Sequence, residues 1–85
     1  MWTMVSVNFS SEGAKASEVD RILKNMGFLT TLGENDYVYK WEEENAATEE
    51  DYRKLEDKVI KLIDDVQKRL KGKQVILRFR TIRSL

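Results

Sequence analysis

Eighty-five residues, 35% charged and with fifteen bases against fifteen acids, bound the protein to one small domain, residues 1–85, with no net charge to draw it toward nucleic acid or a membrane. The absence of cysteine excludes disulfide, zinc-thiolate and thiol redox chemistry, and the absence of histidine removes the usual neutral-pH proton carrier. No apolar run approaches the roughly 20 residues of a membrane span, and the start, MWTMVSVNFS, lacks the signal-peptide pattern, so a cytoplasmic location away from membranes is expected.

In chain order, Trp2 to Phe9 alternates with period two. Val5, Val7 and Phe9 share one face, and Trp2, Met4, Ser6 and Asn8 share the other, which predicts a strand with the valine side as its core face. Ser10 to Ala16 is small and polar around Gly13 and reads as a loop or a frayed helix start. Ser17 and Asp20 match a capping box, and Val19, Ile22, Leu23 and Met26 fall on one helical face ahead of Gly27. A first helix is therefore expected from Ala14 or Ser17 to Met26. Phe28–Leu32 and Tyr37–Trp41 are both rich in strand formers and are separated by the turn residues Gly33, Glu34, Asn35 and Asp36, which predicts a hairpin.

Thr48 to Gly72 carries the strongest helical signal. Thr48 with Asp51 forms a second capping-box pattern, and Glu49, Glu50 and Asp51 place acids at the positive end of the helix dipole. Tyr52, Leu55, Val59, Leu62, Ile63, Val66 and Leu70 recur every three or four residues and build one apolar stripe. Lys68, Arg69 and Lys71 crowd the last turn before Gly72. Gln74 to Ile82 then reads as a last strand, with Val75, Leu77 and Phe79 on one face and Ile76, Arg78, Arg80 and Ile82 on the other. The stripe is longer than a seven-residue strand of some 23 Å, so the helix is expected either to overhang its sheet or to be covered by something else.

The resulting order is βαββαβ, an α+β arrangement that resembles the ferredoxin-like superfold. The resemblance implies a four-stranded antiparallel sheet in the order 4-1-3-2 with two helices on one face. It implies no activity, because that fold hosts many functions. Motifs that occur on the fold are missing. The loop after the first strand, Ser10-Ser11-Glu12-Gly13, has no metal-carrier cysteine pair. Asn8 stands where small nucleases of this fold often carry an acid. Tyr37, Tyr39 and Trp41 share one face of the third strand. Facing outward they would make a base-stacking platform like that of RNA-recognition motifs; facing inward they would be core, which hides the apolar side and exposes Val38, Lys40 and Glu42. The inward option is the expected one, and the basic, glycine-rich part of the RNA-recognition signature is absent.

Charge is unevenly distributed. Residues 34–65 hold twelve acids and five bases, whereas residues 66–85 hold seven bases and no acid. Part of this complements the helix dipole, and part is expected to be absorbed by Glu50–Lys54, Asp57–Lys61 and Asp64–Lys68 pairs. Lys40, Arg78, Arg80 and Arg83 are less easily explained that way and are the candidate contact residues for a partner. No G-x-S-x-G, P-loop or G-x-G-x-x-G occurs, the acids lack calcium-loop spacing, and no cofactor or metal is expected. These features favour a non-enzymatic protein-interaction or oligomerisation domain, most simply a homodimer or a regulator that binds another protein. The alternative is a nucleic-acid-binding module that uses the basic sheet face and the last strand.

Overall fold

The structure, a computed structural model, describes residues 1–31, 36–42 and 47–82. Its elements are β1 (Trp2–Phe9), α1 (Ala16–Asn25), β2 (Leu29–Thr30), β3 (Asp36–Lys40), α2 (Glu49–Arg69) and β4 (Val75–Ile82). The strands form one antiparallel sheet in the order β2-β3-β1-β4. Counted from the β4 edge, that order is β4-β1-β3-β2. No described helix is long and apolar enough to cross a membrane.

The alternation of β1 divides the sheet into two faces. Val5 and Val7 are buried together with Val19 and Leu23 of α1 and with Val66 of α2 and its C-cap Leu70, so both helices pack on that one face. The register sets Val5 between Tyr37 and Phe79, and directly opposed residues of an antiparallel pair point to the same side. Phe28 and Tyr37 complete the main core.

The ends of α1 differ from expectation. Its N-cap is Lys15, with no side-chain cap, and the Ser17–Asp20 box does not form. The chain is already pinned upstream, where the Ala14 amide donates to the Lys73 carbonyl at 2.9 Å. The Asp20 carboxylate is engaged elsewhere, accepting from the Tyr37 hydroxyl at 2.9 Å and pairing with Lys24 at 3.0 Å. At the other end, Gly27 takes the left-handed φ of 99°. The Phe28 amide donates back to the Leu23 carbonyl. Phe28 therefore closes the helix and enters the core at 1% exposure, and the strand expected over Phe28–Leu32 contracts to Leu29–Thr30. Leu32 and the turn residues Gly33, Glu34 and Asn35 lie outside the described residues.

In α2 the expected capping box is present: Asp51 N–H donates to Thr48 Oγ1 at 3.1 Å, and Thr48 N–H donates to Asp51 Oδ2 at 3.2 Å. The backbone amides of Ala47 and Thr48 and the Thr48 hydroxyl hold the Asp51 carboxyl below the usual carboxylate range. The long stripe is covered by the chain itself. Its C-terminal part meets α1 over the main core, while Leu55 and Val59 form a second buried cluster with Met1, flanked by Trp41, Tyr52 and Ile63. The 21 residues of α2 run about 31 Å against about 26 Å for the eight of β1, so the overhang is only about one helical turn.

Three hydrogen bonds tie this second cluster to the sheet. Trp41 N–H donates to the Met1 carbonyl at 3.0 Å, the Trp41 indole Nε1 donates to Thr3 Oγ1 at 2.8 Å, and Thr3 Oγ1 and Thr81 Oγ1 share a hydrogen bond at 3.0 Å. Thr3 has no exposed surface, so its hydroxyl links β1 to β4 and to the segment after β3 from inside the fold.

Candidate interaction face

The side of the sheet away from the helices carries the expected contact residues. The register forms three rows across the strands: Asp36–Ser6–Arg78, Leu29–Val38–Met4–Arg80 and Lys40–Trp2–Ile82, with Ile76 beside Asn8 below them. Lys40, Arg78 and Arg80 are thus brought onto one face, while Arg83 lies outside the described residues. Lys40 places its ammonium 5.5 Å from the centre of the Trp2 ring, a cation–π contact. Arg78 and Arg80 meet no carboxylate within ion-pair distance among the described residues. Leu29 and Ile76, on the two outer strands, are 62% and 67% exposed. A depression of about 440 Å³ lined by Met4, Ser6, Arg78, Phe79 and Arg80 lies on the same face.

Tyr37, Tyr39 and Trp41 turn inward. Tyr37 is 5% exposed and donates to Asp20, Tyr39 packs edge-on against Phe28 at 5.5 Å, and Trp41 lies 4.7 Å from Tyr39. Burial, followed by the Asp20 carboxylate, pushes the Tyr37 hydroxyl up to about 12. Lys24, followed by Tyr37, holds Asp20 below the usual carboxylate range. Tyr37 is consequently core, Tyr39 and Trp41 pack half-buried on the same side, and the open face keeps Trp2 as its aromatic side chain on β1.

The base-rich segment after residue 66 is also divided by the fold. Lys68 and Arg69 belong to the helix layer, and Arg69 pairs with Asp65 at 3.4 Å. Lys73 forms an ion pair with Glu18 at the junction of α1 and β4. Arg78 and Arg80 lie on the opposite side of the sheet. The expected Glu50–Lys54, Asp57–Lys61 and Asp64–Lys68 contacts do not close; all six side chains are exposed, where such pairs stabilise by only a few tenths of a kcal/mol. A second concavity, of about 590 Å³, is bounded by Trp41 and Leu62 and mixes Lys58, Lys61 and Lys68 with Asp64 and Asp65. Its mixed charges give it no strong preference for a ligand of either sign.

The sequence identified Lys40, Arg78 and Arg80 but not Asp36 as part of this face. As a turn residue Asp36 gave no sign of its facing, which follows from its register opposite Ser6. No family model matches the chain, and comparison with curated proteins and with solved structures returned no significant match.

Proposed function

We propose that this chain is a non-catalytic protein-interaction module, in a ferredoxin-like βαββαβ sandwich, that self-associates through its open sheet face. The observation that carries the reading is the composition of that face. Exposed aliphatic side chains at Leu29 and Ile76 flank Val38 and Met4, and Arg78 and Arg80, which meet no carboxylate among the described residues, border them. A sheet face that met only water would favour polar residues at these positions, and an apolar patch with a charged rim is the usual make-up of a protein interface. The element order and the packing of both helices on one face support the fold reading. The inward turn of Tyr37, Tyr39 and Trp41 favours a protein partner over single-stranded nucleic acid, because stacking platforms need several exposed rings.

The test is light scattering at tens of micromolar on the native chain and on the double variant Leu29→Lys with Ile76→Lys. Both side chains are exposed, so the variant should keep its circular dichroism spectrum and melt. A dimer that becomes a monomer in the variant is the expected result. A monomeric native chain, or a variant that remains dimeric, overturns the reading.

A further inference from the structure

Resting on that reading, we infer how the second copy docks: about a two-fold axis that runs along the strands between β1 and β3, with Arg78 of each copy reaching Asp36 of the other. The choice of axis follows from where the charges lie. Arg78 and Arg80 both belong to β4, at one edge of the sheet, and Asp36 belongs to β3, on the far side of β1. A two-fold axis across the strands lays β4 over the partner's β4 and stacks arginine on arginine. Pairing of β4 edge to edge fails for the same reason. In the two-fold registers that keep seven of its eight residues paired, Arg78 faces the partner's Arg78 or Arg80, and like charges directly opposite destabilise a strand pair. An axis along the strands instead keeps each row at its level and reverses its order.

That reversal sets no like charges directly opposite, although each Asp36 and each Lys40 comes to lie one strand away from its own counterpart. Met4 comes to lie over the partner's Val38, at the centre of the patch. Arg80 comes to lie over the partner's Leu29, which its methylene stem can cover while the guanidinium reaches the rim. Arg78 lies one strand away from the partner's Asp36. With strands about 4.8 Å apart and sheets about 10 Å apart, their Cα atoms are about 11 Å from one another, a gap that an arginine and an aspartate side chain together can span. Asp36 and Arg78 of one chain share a row with Ser6 between them and make no ion pair with each other or with another side chain among the described residues. The strands of eight, eight, five and two residues cover about 360 Å² of flat face per copy, so burying it on both copies removes on the order of 700 Å², less than a standard specific interface. The dimer is therefore weak, forming at micromolar concentrations and sensitive to single charges.

The experiment is sedimentation equilibrium on four chains: native, Asp36→Arg, Arg78→Asp and the double exchange. Each single reversal should weaken dimerisation by about tenfold or more, because it sets two like charges together across the interface. The double exchange restores the pair with its polarity inverted and should return to within about threefold of the native constant. Melts at submicromolar concentration check that each monomer is folded, and Asp36→Asn with Arg78→Gln replaces any reversal that is not. If the native chain dimerises and the lysine variant at positions 29 and 76 does not, yet the double exchange fails to rescue, the axis is wrong and the interaction reading stands. If the native chain is monomeric, both fall.

Discussion

Replacing Thr3 by valine tests whether the buried hydroxyl that joins β1, β4 and Trp41 stabilises the fold. The two side chains have nearly the same shape, so no cavity is created; what changes is that the Trp41 indole N–H loses its acceptor at 2.8 Å and the Thr81 hydroxyl loses its partner at 3.0 Å. Thr81 is exposed and can turn to water. Trp41 is half-buried against the second cluster, and a donor stranded there costs about 1–3 kcal/mol, partly offset by the better burial of a methyl group. The net loss expected is about 1–2 kcal/mol, from a total that for a chain of this length is about 4–13 kcal/mol. In a thermal melt this corresponds to a fall of about 5–15 °C, and in urea to a lower midpoint with an unchanged slope. Adding Trp41→Phe gives a second check. Once the donor is gone, valine at position 3 strands nothing, so the double variant should be about as stable as Trp41→Phe alone. Thr3→Val melting at or above the native temperature, or strict additivity of the two substitutions, would refute the reasoning.

Two other predictions follow from local geometry. A methyl group on Gly13 would meet the Lys73 carbonyl oxygen at 2.6 Å and Gln74 Cβ at 2.9 Å, so Gly13→Ala should separate the loop after β1 from the start of β4, lose the Ala14–Lys73 hydrogen bond and cost about 1–3 kcal/mol by urea titration. Alanine at Gly72, which also has a positive φ but nothing within 4 Å, should cost less, about 1 kcal/mol from backbone strain alone. The Tyr37 hydroxyl, raised to about 12, should give a late step in an ultraviolet alkaline titration. Because its folded value lies above that of the unfolded chain, its contribution is complete below about 10 and is lost as pH rises through about 12. Tyr37→Phe should abolish that late step and flatten the alkaline loss of stability; an unchanged titration would show that another phenol carries it.

Much of this molecule was legible from local chemistry. The Thr48–Asp51 cap, the glycine after α1 and the alternation of β1 and β4 are decided by atoms a few residues apart, and a single sequence carries that information. The stop after α1 was legible too, but the fate of Phe28 was not. Its strand-forming character lost to a helix-closing hydrogen bond and a place in the core. The Ser17–Asp20 signal failed similarly, because Asp20 serves Tyr37 across the fold and Lys73 anchors the preceding loop.

For the interaction face, alternation showed which residues of a strand travel together, so Arg78 and Arg80 were paired from the start, and the inward facing of Tyr37, Tyr39 and Trp41 was the expected choice. Period two does not reveal which row of one strand lies beside which row of the next. Only the pairing of β1 with β3 and β4 set Asp36, Ser6 and Arg78 in one line and separated Arg78 and Arg80 from the lysines at the end of α2. By itself the sequence determined where the helices fall, which strand residues share a face and that no thiol or imidazole is present. The tertiary structure decided that Lys68 and Arg69 lie in one layer and Arg78 and Arg80 on the opposite side of the sheet, because that depends on hydrogen bonds between segments some seventy residues apart.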